Sequence, residues 1–214
     1  MPPKISVITP FLNGLDLLSD FEQATIGAEL ILIDNGSAPD TADALASLPP
    51  GRGRVIRNET NIGFAAANNQ GYAKATGDII IFLNSDIAAD PVWLKLVADD
   101  VKDGGLYGPS LGVQLVYGLR LPYIEGWCIA ATRKTWEELV ETTCIGNWRA
   151  EHRGPWDALA YPGPYWEDND LCFRAMEQNF SLTQTQWPIQ HKGGRSAGPL
   201  VKHGDTFERN RATF

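Results

Sequence analysis

Three carboxylates, Glu167, Asp168 and Asp170, fall within four positions of the stretch Trp166-Glu167-Asp168-Asn169-Asp170-Leu171-Cys172-Phe173-Arg174. Carboxylates this close repel one another, so the arrangement suits a site that needs a general base or a cation. The plainer alternative is an acidic helix start favoured by the macrodipole, with Asp170 and Arg174 as an i, i+4 pair. A second acidic element, Asn84-Ser85-Asp86, closes the apolar run Asp78-Ile79-Ile80-Ile81-Phe82-Leu83. It reads either as a turn, which all three residue types favour, or as an oxygen ligand for Mg²⁺ or Mn²⁺ bridging to a diphosphate. The third element is His191, followed by Lys192-Gly193-Gly194-Arg195. Alone it is an ordinary loop histidine; its functional reading is an imidazole ligand beside phosphate-facing cations. Together the three elements suggest a metal-dependent transferase.

Such residues need a scaffold, and the first half of the chain supplies an alternating one. Residues 5–9, 30–33, 54–57 and 78–83 read as strands, and residues 15–23, 41–48 and 65–75 as helices. This order implies βαβ units and a mostly parallel sheet with helices on both faces. Ligands bind such sheets at the carboxyl ends of the strands. Three polar clusters fall at those ends: Thr9-Pro10-Phe11 with Asn13, Asp34-Asn35, and Asn84-Ser85-Asp86. The segment from Asn61 through Gly63 to Asn68, Asn69 and Gly71 opens a helix with small residues, which can receive an anion or simply pack tightly. The dinucleotide and P-loop glycine fingerprints are absent.

The second half is less regular. Residues 91–102 should be a helix with Asp90 as N-cap, residues 111–117 and 126–131 strands, and residues 133–141 a helix. Residues 142–165 are rich in Gly, Pro and Trp without a period, which suggests a binding loop or lid. A helix over 168–178 and a strand over 181–187 follow. The Gly-rich, charged tail 192–214 is expected to be mobile.

Composition narrows the class. The 214 residues can bury one substantial α/β core, and 43% hydrophobic with 21% charged residues is globular. A net charge of −8 excludes a nucleic-acid partner, though not a nucleotide, which needs only a local anion site. Cys128, Cys144 and Cys172 are odd in number and far apart, which fits reduced thiols in a cytosol. No apolar run approaches the ~18–20 residues of a membrane span, and no signal-peptide pattern is present. The expectation is a cytoplasmic protein, compatible with peripheral association at the inner face of a membrane.

As an ordered set these residues resemble the family 2 inverting glycosyltransferases of the GT-A fold. The parts are Ser-Val-Ile-Thr-Pro, Leu-Ile-Asp-Asn-Gly-Ser, Asn-Ile-Gly-Phe-Ala-Ala-Ala-Asn-Asn-Gln-Gly, Phe-Leu-Asn-Ser-Asp, Glu-Asp-Asn-Asp-Leu-Cys-Phe-Arg and His191. The resemblance implies one domain over 1–214, with a nucleotide-binding half (1–110), an acceptor-binding half (111–191) and the tail. Thr9, Pro10 and Phe11 would line the base of a nucleotide, and Asp34 would accept a hydrogen bond from its ring N–H. Asn61, Gly63 and Asn69 would lie along base and ribose. Asp86 and His191 would ligate Mn²⁺ or Mg²⁺, with Asn84 or Ser85 near the ribose and Lys192 or Arg195 near the diphosphate. Asn84 departs from the acidic first position of the family's Asp-x-Asp motif, which leaves fewer acidic ligands and gives His191 more weight. Asp168 would be the catalytic base and Glu167 would orient the acceptor.

The implied reaction carries a sugar from a nucleoside-diphosphate donor, UDP first and dTDP or GDP as alternatives, to a saccharide or other hydroxyl acceptor. Trp127 and Trp166 are candidates for stacking on an acceptor sugar. Two rival readings are a non-catalytic nucleotide-sugar-binding module of a larger synthase and a sugar nucleotidyltransferase. The second wants a charged Gly-rich loop after the first strand, which Phe11-Leu12-Asn13-Gly14-Leu15 does not supply.

Overall fold

The computed structural model describes residues 1–49, 51–143, 154–193 and 209–210. Strands β1 (Ile5–Phe11), β2 (Glu29–Asn35), β3 (Arg54–Asn58) and β4 (Ile79–Leu83) alternate with helices α1 (Leu18–Ala24), α2 (Pro39–Ala46) and α3 (Phe64–Tyr72). Then come β5 (Ile87–Ala89), α4 (Trp93–Asp100), β6 (Gly105–Gly108), β7 (Leu111–Val116), β8 (Leu119–Ile124), β9 (Cys128–Thr132) and α5 (Arg133–Thr143). Helix α6 (Glu167–Glu177), β10 (Ser181–Gln184) and β11 (Ile189–His191) complete the order.

Seven strands form the central sheet in the order β10-β6-β9-β4-β1-β2-β3. All neighbouring pairs are parallel except those of β9, which runs antiparallel to both β4 and β6. The sheet is therefore mostly parallel, with one reversed strand near its middle.

Period-2 alternation sends side chains of the same strands to opposite faces. Val7, Phe11, Leu30, Leu32, Ile79 and Ile81 meet Phe21 of α1 and Trp93, Leu94 and Val97 of α4. Ile8, Ile31, Ile33, Ile80 and Phe82 meet Ala65 and Ala67 of α3, Trp136 and Leu139 of α5, and Leu171 and Ala175 of α6. The near-continuous apolar runs of β2 and β4 follow from burial on both faces. Two indoles inside these layers are satisfied: the Trp136 N–H donates to the Ile80 carbonyl at 3.0 Å, and that of Trp93 to the Ala24 carbonyl at 2.6 Å.

Several elements differ from the sequence expectation. Residues 119–124 are a strand, and β7 and β8 form a separate two-stranded hairpin turning at Tyr117 (φ 48°) and Gly118 (φ 84°). A two-residue turn with both φ positive matches the right-handed twist of a hairpin, but it needs Gly only at one position, so Tyr117 hid it. Strands β5 and β11 are three residues each and too short to show a period. Helix α4 begins at Trp93, two residues later than expected, although Asp90 does cap the turn, its Oδ1 accepting the Val92 N–H at 2.9 Å.

The small residues of α3 let it lie close on the sheet. A Cβ placed on Gly71 would come within 2.3 Å of Ile8 Cγ2 and 2.9 Å of Ile33 Cδ1. Gly71→Ala is expected to destabilise the fold by about 1–3 kcal/mol through overpacking. That would lower the midpoint by several degrees in a thermal melt; an unchanged melt would show that α3 can lift off the sheet freely.

Candidate active site

The carboxyl end of β4 runs into Asn84-Ser85-Asp86, and β5 follows at once. The antiparallel pairing of β5 with β11 places Ile87 opposite His191. As a result His191 Nε2 lies 2.9 Å from Asp86 Oδ1 and 3.2 Å from Asn84 Nδ2, across more than a hundred residues of chain. Asp86 is fully buried, while the His191 side chain keeps 28% exposure. The Lys192 N–H donates to the Asp86 carbonyl at 2.8 Å, which fixes the start of the segment after β11.

Trp127 supports this pair from the other side. Its ring stacks on His191 with centroids 5.2 Å apart and planes 6° from parallel. Its indole N–H donates to Glu125 Oε2 at 3.1 Å, and that same oxygen accepts the Ser110 hydroxyl at 2.7 Å. One face of the Trp127 ring is thus committed to His191, which corrects the expectation that it stacks on an acceptor sugar.

The donor chemistry of Asp86 and His191 can be tested against a divalent cation. One carboxylate oxygen and one imidazole nitrogen lie side by side, 2.9 Å apart, and this oxygen–nitrogen set suits Mn²⁺ or Mg²⁺ when phosphate oxygens and water complete the shell. Among the described residues no group of three His, Cys, Asp or Glu side chains gathers around one point. The pair therefore fits a cation shared with a bound diphosphate rather than one caged by protein alone.

The acidic cluster sits at the N-terminus of α6, entered through Tyr165 (φ 79°) and Trp166 (φ 73°). Two successive non-glycine residues in the left-handed region cost on the order of 1–3 kcal/mol each, and such strain persists where the surroundings over-determine it. Asp168 Oδ2 accepts the Gly126 N–H at 3.0 Å and Oδ1 accepts the Asn169 N–H at 2.9 Å. Burial pushes its carboxyl up to about 6; the backbone N–H groups pull it part of the way back, and the Glu125 charge opposes them. Burial, with the Asp168 charge beside it, holds Glu167 well above the usual carboxylate range, and Glu167 Oε2 has no hydrogen-bond partner among the described residues. Asp170 is a structural member: Arg174 Nε donates to it at 2.7 Å and Arg174 also donates to the Pro155 carbonyl at 2.9 Å.

The residues expected at a nucleotide divide into two sets. Thr9 and Ser85 are buried, and their hydroxyl oxygens have no hydrogen-bond partner among the described residues. Asn68 is in the same state at both amide atoms. Pro10 is half-buried at the end of β1, but the Phe11 ring lies inside the core, edge-on to Phe21 at 5.3 Å, so it cannot stack on a base. Asn69 is also removed from the expected ribose contact. Its Nδ2 donates to the Trp156 carbonyl at 2.8 Å and its Oδ1 accepts the Trp156 N–H at 3.2 Å, pinning the segment that packs over α3. Asn61 Oδ1 accepts from Asn35 Nδ2 at 2.8 Å and from the Gly63 N–H at 2.9 Å. Gly63 (φ 90°) faces the Pro162 carbonyl so closely that a Cβ would lie 2.4 Å from its oxygen. The Lys192 ammonium pairs with Asp20, and Arg195 lies outside the described residues.

Asp34 is buried at the end of β2, where Oδ1 accepts the Ser37 N–H at 2.9 Å and Oδ2 pairs with Arg57. Arg57 was not singled out from the sequence. The signal was present, since it stands near the carboxyl end of β3 in register with Asp34. Glu125 was likewise overlooked, because the strand that leads to it was not recognised.

Comparisons with solved structures define the class of fold. The chain matches the Pyrobaculum calidifontis mannosyltransferase, solved with GDP-Man and Mn²⁺, at a TM-score of 0.61 and 16% identity, over 86% of this chain and 55% of that one. It matches S. aureus TarS, solved with UDP-GlcNAc, at a TM-score of 0.60 and 16% identity, over 98% of this chain and 65% of that one. The architecture is the GT-A fold. Residues 6–150 match the family model of Glycosyl transferase family 2, and the chain belongs to that family. Curated relatives include an uncharacterized glycosyltransferase of Haemophilus influenzae, 38% identical over 91 residues. Another is an undecaprenyl-phosphate 4-deoxy-4-formamido-L-arabinose transferase of Klebsiella pneumoniae, 32% identical over 117 residues. These matches cover 39% and 48% of the chain, and each spans 36% of the relative's length.

Proposed function

We propose that the chain is an inverting glycosyltransferase domain that moves a sugar from a nucleoside-diphosphate donor to an acceptor hydroxyl with a divalent cation bound. One observation carries this reading. Two adjacent residues link the two halves of the chemistry: Gly126 donates its N–H to Asp168, and Trp127 stacks on His191 beside Asp86. Consecutive Cα atoms are about 3.8 Å apart, so the base candidate and the cation candidate flank a single peptide unit. A sugar lying along that unit would face a proton acceptor on one side and its diphosphate on the other. The GDP-Man and Mn²⁺ of the P. calidifontis structure and the UDP-GlcNAc of the S. aureus one support the substrate class.

In this reading the ends of β1 to β4 hold the nucleotide, and residues 111–191 supply the acceptor side. Asp34 accepts a hydrogen bond from a base that carries a ring N–H, which favours uracil, thymine or guanine over cytosine. UDP is the first choice. Asp86 and His191 would hold the cation, with Asn84 beside them; a bound cation would offset the negative charge that grows on the departing diphosphate. Asp168 takes the proton of the acceptor hydroxyl. The acceptor oxygen then attacks the anomeric carbon from the face opposite the leaving nucleoside diphosphate, and the configuration inverts. Glu167, beside Asp168 at the start of α6, orients the acceptor. No helix among the described residues is long and apolar enough to cross a membrane, and we place the domain on the cytoplasmic side, where nucleotide sugars are supplied.

Three outcomes test this. Asp168→Asn keeps an acceptor for the Gly126 N–H but no base; transfer should fall by about 10²–10⁴-fold with donor affinity unchanged. Full turnover by that variant would remove Asp168 from the base role. Because Asp168 must be ionised to act and its carboxyl is held at about 6, kcat should climb roughly tenfold per pH unit below 6 and level off above it. A flat profile from pH 5 to pH 7 counts against a titrating base. Calorimetry with UDP, dTDP or GDP should show affinity that depends on Mn²⁺ and is weakened by Asp86→Ala. Equal affinity in the presence of a chelator would overturn the cation role.

A further inference from the structure

The β7–β8 hairpin stands apart from the central sheet and turns an apolar surface to solvent. Along it Leu111, Val113, Leu115, Tyr117 and Leu119 are 37%, 52%, 63%, 99% and 64% exposed. The base of β8 is anchored, since Ile124 is fully buried and its N–H meets Cys172 Sγ of α6 at 3.3 Å. Exposure rises from that anchor towards the turn. Charge is depleted over the same stretch: from residue 104 to residue 124 the sole charged side chain is Arg120, in a chain that is 21% charged with a net −8. Exposed apolar side chains gathered at one end of an element mark an interaction site on a folded domain.

We propose that this hairpin is a membrane-interface probe that inserts its tip, Leu115 to Leu119, among the acyl chains of a phospholipid bilayer. Two features select a bilayer over a protein partner. The register sets Leu115 opposite Arg120 and Leu119 opposite Val116, so Leu115 and Leu119 lie on opposite faces of the hairpin, 63% and 64% exposed; a folded partner would cover one face, whereas acyl chains surround both. The hairpin's charge pattern matches an interface: apolar and aromatic side chains at the tip, no carboxylate to desolvate, and one arginine beside the tip whose head can stay at the phosphate level. A chain of net charge −8 is not drawn to anionic lipid, so apolar insertion must drive the contact.

The placement has a geometric outcome. Strand β8 leads from the tip to Glu125 and Gly126, and the nine residue steps from Tyr117 to Gly126 span at most about 30 Å. A bilayer engaged at Tyr117 would therefore lie within that reach of Gly126, whose N–H donates to Asp168. The surface is independent of the transfer chemistry and holds whether or not Asp168 is the base.

Flotation of the full chain with vesicles tests it. The chain should float with phosphatidylcholine alone and with phosphatidylcholine mixed with phosphatidylglycerol, with little loss in high salt. The combined variant Leu115→Gln, Tyr117→Ser, Leu119→Gln should partition about a hundredfold less, with an unchanged thermal melt. If that variant melts early, Tyr117→Ser alone, at a nearly fully exposed position, should still cut partitioning by about tenfold. Absence of flotation, or flotation that these substitutions leave intact, overturns the proposal. So does sedimentation showing a dimer of the native chain that the variant dissolves, which would assign the tip to a second copy instead.

Discussion

A single reversed strand decides how the site is built. In a parallel sheet every strand ends at the same rim, and only the segments leaving strands reach the ligand. Because β9 runs antiparallel between β4 and β6, the segment entering it arrives at that rim as well. Glu125, Gly126 and Trp127 are delivered there by backbone hydrogen bonding, not by a loop that must be held separately. The Asn84 N–H donates to the Trp127 carbonyl at 2.8 Å, so the β4 end and the β9 start are laced together. Everything around the candidate centre hangs from that lacing: Asp168 through Gly126, and His191 through Trp127.

Burial then gives chemically similar groups different tasks. Asp168 has two backbone N–H donors, which stabilise its charge enough for it to titrate near neutrality. Glu167, one residue away, has no such compensation at Oε2 among the described residues, and burial beside the Asp168 charge holds it well above the usual carboxylate range. Asp170, two residues further on, is neutralised by Arg174 and serves as a clip. Desolvation raises all three carboxyls; what separates them is the local supply of donors. The Thr9, Ser85 and Asn68 polar atoms, buried and without a hydrogen-bond partner among the described residues, follow the same logic in reverse, since buried polar groups call for a partner.

Much of this was legible beforehand. The regular alternation of the first half is visible because strands buried on both faces are apolar throughout, as in β2 and β4. The carboxylate cluster is visible because three acids within four positions repel one another, whereas Asp86 and His191 stand out only through their place in an ordered set of motifs. What was hidden depends on long-range pairing. Three-residue strands such as β5 and β11 carry no periodic signal, yet their register is what joins Asp86 to His191. The β7–β8 hairpin escaped because its turn uses Tyr117 where glycine or asparagine is usual. Phe11 and Asn69 sit inside motif-like stretches, and only packing reveals that one fills the core and the other pins Trp156.

The β5–β11 clasp also governs when the molecule becomes competent. Closing a contact across more than a hundred residues carries the entropy of a long loop, and such contacts form late relative to neighbouring βα units. The β1–β4 half is built from neighbouring βα units, whereas the His191–Asp86 contact joins segments more than a hundred residues apart. In the proposed reading, cation-assisted donor capture therefore waits on the β5–β11 clasp. A form in which that clasp is open would keep the nucleotide-facing rim without the means to engage a diphosphate firmly.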